Sequence, residues 1–254
     1  MITVTEQNKV AEPAFVAQAF RFSDEPAAMA RFLEALGLGV LISKGTGWYD
    51  LRGRSGSVAL HASGDRSDSG APGGQTGLVM VAPEARAAAE YLKGQGLETT
   101  VWDESFGVQA TVKTPFGGGL SINEEQNDLY GYERHELGDP KPGPIDVVVV
   151  FFTNDLDGAA RFFDRFGFRA DEDGSEDHHH LRNGDRGVIL LHRADTEEQE
   201  GSVGLSFETD EPLEAVADRL TAAGYAPSLL DAPRRIAVTD PDGQLVEVWP
   251  PEAS

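Results

Sequence analysis

The chain contains no cysteine, and basic and aromatic residues are scarce. Across 254 residues, 21 Lys and Arg stand against 43 Asp and Glu, and Phe, Trp and Tyr make up 8%. The absence of cysteine excludes a disulfide framework, a thiolate zinc site, an iron–sulfur cluster and a cysteine nucleophile, so any metal must be held by nitrogen and oxygen ligands. A formal charge of −22 repels nucleic acid and anionic membranes, and neither is expected as a partner. No apolar run approaches the ~18 residues of a membrane span. Residues 1–12 lack a basic segment followed by an apolar one, so a cytoplasmic protein without signal peptide is expected. P-loop, Gly-x-Ser-x-Gly and His-Glu-x-x-His motifs are also missing.

What charge there is lies unevenly. Residues 136–254 carry 26 acidic and 10 basic side chains, against 17 and 11 in residues 1–135. Much of the excess sits in Asp171–Asp173 with Glu176 and Asp177, and in Asp195, Glu197, Glu198 and Glu200. Such clusters read as a solubilising surface or as an electrostatic funnel for a cationic small molecule.

The sequence repeats itself. Ala30-Arg31-Phe32-Leu33-Glu34-Ala35-Leu36-Gly37-Leu38 aligns with Ala160-Arg161-Phe162-Phe163-Asp164-Arg165-Phe166-Gly167-Phe168 at an offset of 130. One extra residue later shifts the offset to 131 and aligns His61 with His192. Each half divides again into strand, helix and strands. Met29, Phe32, Leu33 and Leu36 recur at the spacing of one buried helical face, as do Ala159, Phe162, Phe163 and Phe166, and Leu213, Val216, Ala217 and Leu220. Pro26, Pro83 and Pro212 mark helix starts, and Gly37, Gly96, Gly167 and Gly224 mark helix ends. The expected class is α+β with four β-α-β-β-β modules. Modules at about 14–63 and 75–125 make a first domain within 10–130, and modules at about 145–193 and 202–251 make a second within 145–251. A Pro- and Gly-rich linker, 131–144, joins them.

This plan, with Asp155-Leu156, Ala160-Arg161-Phe162-Phe163, Phe166-Gly167-Phe168 and the closing Asp240-Pro241-Asp242-Gly243-Gln244-Leu245-Val246-Glu247, resembles the vicinal oxygen chelate superfamily. That group includes glyoxalase I, bleomycin-resistance proteins and extradiol dioxygenases. The resemblance implies two curved eight-stranded sheets with helices outside. It also implies metal ligands, where present, on the first and last strands of each module. Gln18 and Val148 fall at the first such position, His61 and His192 at the second, Gly77 and Gly204 at the third. Glu247 holds the fourth, with Ser121 or Asn123 opposite it in the repeat. Valine and glycine cannot bind a cation, so each half retains two ligands where three are usual. If modules one and four shared a pocket, Gln18, His61 and Glu247 would meet around one divalent ion.

Two readings follow. One is a small-molecule binder of the bleomycin-resistance type, without a complete metal site, holding an aromatic or cationic guest as monomer or homodimer. The other is an enzyme of the same superfamily, a lyase, isomerase or dioxygenase. It would use the Gln18, His61 and Glu247 metal set, or metal-free acid–base catalysis by His192 and Glu247. Trp48, Tyr49, Trp102, Phe106 and Trp249 are candidates for an aromatic wall. In the segment His178-His179-His180, strand alternation lets His178 and His180 converge, and His180 is a candidate ligand contact.

Overall fold

The computed structural model describes residues 12–64, 70–104, 107–126, 131–135, 143–171 and 174–250. The first module comprises β1 (Val16–Ser23), α1 (Pro26–Leu36), β2 (Gly39–Lys44), β3 (Trp48–Arg52) and β4 (Ser57–Ala62). The second comprises β5 (Thr76–Ala82), α2 (Ala85–Gly94), β6 (Thr99–Glu104), β7 (Gly107–Lys113) and β8 (Gly119–Glu124), followed by the short β9 (Glu133–Arg134). The third contains β10 (Ile145–Phe152), α3 (Leu156–Asp164), β11 (Arg169–Ala170), β12 (His178–Arg182) and β13 (Val188–His192). The fourth contains β14 (Val203–Thr209), α4 (Leu213–Ala222), β15 (Ser228–Asp231), β16 (Arg234–Thr239) and β17 (Leu245–Trp249). The α+β class and the four repeated modules are as expected. Among the described residues no helix is long and apolar enough to cross a membrane.

Helix boundaries follow from local chemistry. Pro26 opens α1, where its missing N–H leaves no bond unmade, and Gly37 ends it at φ 119°. Asp155 caps α3 by accepting a hydrogen bond from the Gly158 N–H at 2.9 Å.

Two sheets result, ordered β6-β7-β8-β5-β1-β4-β3-β2-β9 and β11-β12-β13-β10-β14-β17-β16-β15. The strand β1 pairs antiparallel with β5, placing Gln18 opposite Val79, and β10 pairs likewise with β14. Neighbouring modules therefore share a sheet, and a common pocket for modules one and four does not form. Those modules do meet, but through their helical sides. Phe32, Leu33 and Leu36 of α1 share one core with Leu213, Val216 and Leu220 of α4. Met80, Leu92 and Ile122 of the second module share the other with Phe162, Phe166 and Phe168 of the third. Arg219, paired with Glu211 at 2.8 Å, donates to the Ala35 and Leu36 carbonyls at 2.9 and 2.7 Å. A cation is thereby placed at the C-terminal end of α1, where the helix dipole favours it. The region read as a linker contributes β9, whose Arg134 pairs with Ile42, so the first sheet has nine strands where eight were expected.

The halves interlock at two hairpin tips. The Ala17 N–H donates to the Arg186 carbonyl at 2.8 Å, and the repeat-equivalent Val147 N–H donates to the Ser55 carbonyl at 2.9 Å. Gly56 and Gly187, equivalent in the repeat, face each other where these bonds cross. A Cβ on Gly56, at φ 74°, would lie 2.9 Å from the Gly187 Cα. Gly56→Ala is expected to destabilise the protein by about 2 kcal/mol or more, through backbone strain plus steric overlap. Gly45→Ala, at φ 55° with open space around it, should cost about 1 kcal/mol. Urea denaturation of the two variants checks this, and equal losses would remove the crossing point from its proposed importance.

Candidate ligand-binding cavity

Strand register arranges the concave face of the first sheet as rows of side chains. Residues paired across strands point to the same side. One row runs Gln18, Ser57, Arg52 and the next Phe20, Ala59, Asp50, Ile42, Arg134. A third runs Phe22, His61, Trp48, Lys44, and toward the second module Val16, Val81, Asn123 and Gln109 form another. These rows surround a cavity of about 630 Å³, within the size range of small-molecule sites. Tyr132, Asp185 and Arg186 complete its wall.

One end of the cavity is aromatic. The His61 ring stacks on Phe20 with centroids 6.0 Å apart and meets Trp48 edge-on at 5.5 Å. Trp48 in turn meets Tyr132 edge-on at 6.4 Å. The Nδ1 of His61 lies 2.7 Å from the Ala62 carbonyl. A carbonyl can only accept, so Nδ1 carries the proton and Nε2 of the neutral ring keeps its lone pair.

The other end is polar. The Gln18 side-chain amide donates to Asp50 at 3.2 Å and to Ser57 at 3.1 Å. Gln109 donates to Asn123 at 2.8 Å. Burial pushes the Asp50 carboxyl up to about 7, with the charge of Glu125 pushing the same way. The Arg52 guanidinium and the Gln18 hydrogen bond oppose this only in part. Asp50 is therefore poised between its neutral and charged forms near neutral pH.

The equivalent face of the second half is filled. Val148 stands where Gln18 does, Val150 where Phe20 does and Val188 where Ser57 does, and these valines pack with Phe152 and Leu190. His180, the counterpart of Asp50, bonds Glu208 at 3.1 Å, and Arg182 reaches the same carboxylate at 2.7 Å. The hydrogen bond to His180 and the charge of Arg182 hold the Glu208 carboxyl below its ordinary range despite burial.

The sequence-predicted residues divide between these two faces. Gln18, His61 and Trp48 line the first cavity. Tyr49 points to the opposite side and packs against the core that includes α1. Trp102 is 37% exposed and donates its indole N–H to Glu104 at 2.6 Å. Phe106 lies outside the described residues. Glu247 is in the second sheet, where Arg235 donates to it at 2.6 Å and lies 5.1 Å from the Trp249 ring. His192 donates from Nδ1 to the Arg193 carbonyl at 2.8 Å and packs on Phe152. Strands β10 and β14 lie between the strands bearing His192 and Glu247, and no hydrogen bond or ion pair joins the two side chains among the described residues. His178 and His180 do converge, with ring centroids 5.8 Å apart.

The Gln18, His61 and Glu247 set is likewise not brought together, because sheet pairing puts Glu247 in the other half. Its counterpart in the first half is Ser121: Asn123 pairs with Val81 as Trp249 pairs with Glu208. The hydrogen bonds from Gln18 to Asp50 and Ser57 use its amide nitrogen and leave its oxygen available, but the first cavity does not gather a carboxylate and imidazole set around that oxygen among the described residues. Among the described residues no three His, Asp or Glu side chains gather as ligands. The described members of the acidic clusters are not among the residues lining the cavity. Asp171 pairs with Arg182, Asp177 pairs with Arg193, and Glu200 binds Thr153 and Asn154.

Asp50, Arg52, Arg134, Arg186 and Gln109 were missed by sequence reasoning. The alternation Trp48-x-Asp50-x-Arg52 was the available signal for the first two. A carboxyl pKa raised by folding stabilises the neutral form, so folding is penalised as pH climbs from the ordinary 3.8 towards 7. Asp50→Asn removes that penalty. Its gain in stability should grow between roughly pH 4 and pH 7 and stay level above. Melting temperatures at pH 5 and pH 8 check this, and a gain equal at both would mean that Asp50 ionises in its ordinary range.

Residues 145–248 match the Glyoxalase/Bleomycin resistance protein/Dioxygenase superfamily. No curated protein matches the chain in sequence. Among solved structures, an E323L variant of homoprotocatechuate 2,3-dioxygenase from Brevibacterium fuscum is similar, with 16% identity and a TM-score of 0.57 over 94% of this chain and 72% of that one. The Arthrobacter globiformis homoprotocatechuate 2,3-dioxygenase is similar too, with 16% identity and a TM-score of 0.58 over 96% and 84%. The chain thus has the tandem vicinal oxygen chelate fold, and its second half carries the sequence signature of the glyoxalase, bleomycin-resistance and dioxygenase superfamily.

Proposed function

We propose that this is a small-molecule-binding protein whose site is the cavity of the first half, with the second half as its supporting partner. One observation carries the reading. Repeat-equivalent positions hold Gln18 and Ser57 around an open, 630 Å³ space in one half and Val148 and Val188 in a packed apolar floor in the other. The aromatic end formed by Phe20, Trp48, His61 and Tyr132 suits a planar ring, and the polar end formed by Gln18, Asp50, Asn123 and Gln109 suits directional hydrogen bonds. Binding on these terms needs no divalent ion.

A catalytic reading rests on Asp50 in place of the His192 and Glu247 pair. A carboxyl with a pKa of about 7 facing a cavity can accept or donate a proton near neutrality. Turnover of this kind would rise through pH 7 and vanish in Asp50→Asn.

The binding reading is tested by giving the first floor the second half's residues. In the double variant Gln18→Val, Ser57→Val the protein should remain folded, while affinity for any aromatic ligand found by thermal-shift screening falls at least tenfold. EDTA should leave that affinity unchanged. Full affinity in the double variant, or its loss in EDTA, would count against the proposal.

A further inference from the structure

Arginines in this protein are mostly claimed by carboxylates, as 43 acidic side chains against 21 basic ones would lead one to expect. Arg54 pairs with Asp146 and Asp210, Arg182 with Asp171 and Glu208, Arg219 with Glu211 and Arg235 with Glu247. Arg21, almost wholly buried, pairs with Asp240 and Asp242. Six of the described arginines break the pattern, and three of these, Arg31, Arg161 and Arg165, belong to the outer helices α1 and α3. The other three, Arg52, Arg134 and Arg186, also have no carboxylate within ion-pair distance among the described residues, and all three line the first-half cavity.

Their placement is built into the fold. Arg52 stands on β3 opposite Ser57, one alternation from Asp50. Arg186 comes from the second half. Its carbonyl is pinned by the Ala17 N–H at 2.8 Å, which carries the hairpin tip across the seam to the cavity wall. Arg134 is set on β9 in the same row as Asp50 and Ile42. The acidic groups around them are largely occupied elsewhere. Glu124 accepts from the Ala85 N–H at 3.1 Å, Glu104 from the Trp102 indole, and Asp50 from Gln18. Asp185 and Glu125 also line the space, and neither lies within ion-pair distance of an arginine among the described residues.

Guanidinium groups are rigid forks of donors matched to carboxylate and phosphate oxygens, and a half-buried fork without an acceptor leaves donors unmatched. Resting on the cavity-binding reading, we infer that the ligand is an anion, a planar ring bearing a carboxylate, with its ring among Phe20, Trp48 and Tyr132 and its carboxylate received by Arg52 and Arg186. This assigns the second half a direct part in recognition through Arg186. The anion is thus received locally by two guanidinium groups, in a cavity that Asp50, Glu104, Glu124, Glu125 and Asp185 also line.

The test is an isosteric charge series, benzoate, benzamide and benzamidine, titrated calorimetrically into the full chain. Benzoate should bind at least tenfold more tightly than benzamide, and benzamidine should bind more weakly still. Arg52→Gln and Arg186→Gln should each bring the benzoate-to-benzamide ratio below about threefold. Arg186→Gln keeps the backbone carbonyl that Ala17 uses, so it serves if Arg52→Gln fails to fold. Benzamide or benzamidine binding as tightly as benzoate, or a ratio unchanged in both variants, would overturn the anionic assignment alone. If none of the three binds up to its solubility limit, the cavity-binding reading falls with it.

Discussion

The constraint on which this structure depends is that its sheets and its cores join different pairs of modules. Hydrogen bonding joins the first module to the second and the third to the fourth. Apolar packing joins the first to the fourth and the second to the third. Each helix packs on strands of its own sheet, and the two helix-covered faces then pack on each other, so each half contributes to both cores. Burial of large side chains such as Phe32, Phe162 and Phe166 contributes roughly 1.5–3 kcal/mol each, and part of it needs the other half, as where Phe32 meets Tyr225 and Phe162 meets Phe116. The seam adds directional bonds to this non-directional term. The closing turn, with Asp240 and Asp242, clamps the buried Arg21 on β1, and breaking such a buried pair from one side costs about 3–5 kcal/mol. The turn that carries the family resemblance is thus a structural clasp.

A rigid double frame allows the two concave faces to diverge. The outer faces are held by the shared cores and by the crossing hairpins, so side chains on the inner faces are free to change. In the second half three valines and an ion-paired His180, Glu208 and Arg182 fill the concavity. In the first, Gln18, Ser57 and Asp50 leave it open. The match of residues 145–248 to the superfamily falls on the half whose concavity is filled, and the cavity is in the half outside that match.

Much of the architecture was legible in the sequence because it rests on strong local signals. Helix faces repeat at one spacing, glycine marks each helix end, and the 130-residue offset shows that one plan is used twice. Gln18, His61 and Trp48 were legible as cavity residues through the family resemblance and the repeat. The module partnership was not. Modules one and four do meet, but whether two modules touch by helices or by concave faces depends on long-range strand pairing, which leaves no local mark. Arg134 was hidden in a segment whose Pro and Gly content reads as linker. Arg186 was hidden because it serves the opposite half, and no register within its own half points there. Asp50 and Arg52 alternate with Trp48 along β3, and it is long-range strand order that encloses them.

The central claim is that the open face of the first half, and not the filled face of the second, receives the ligand. The chain carries its own reporters, since Trp48 lines the first cavity while Trp249 stacks beneath Arg235 in the second half. The direct measurement is the indole N–H spectrum of the intact protein, with signals assigned by single Trp→Phe variants, during titration with benzoate. The account predicts a saturable shift of the Trp48 signal with the Trp249 signal unmoved. A saturable shift of Trp249 with Trp48 unmoved would contradict it.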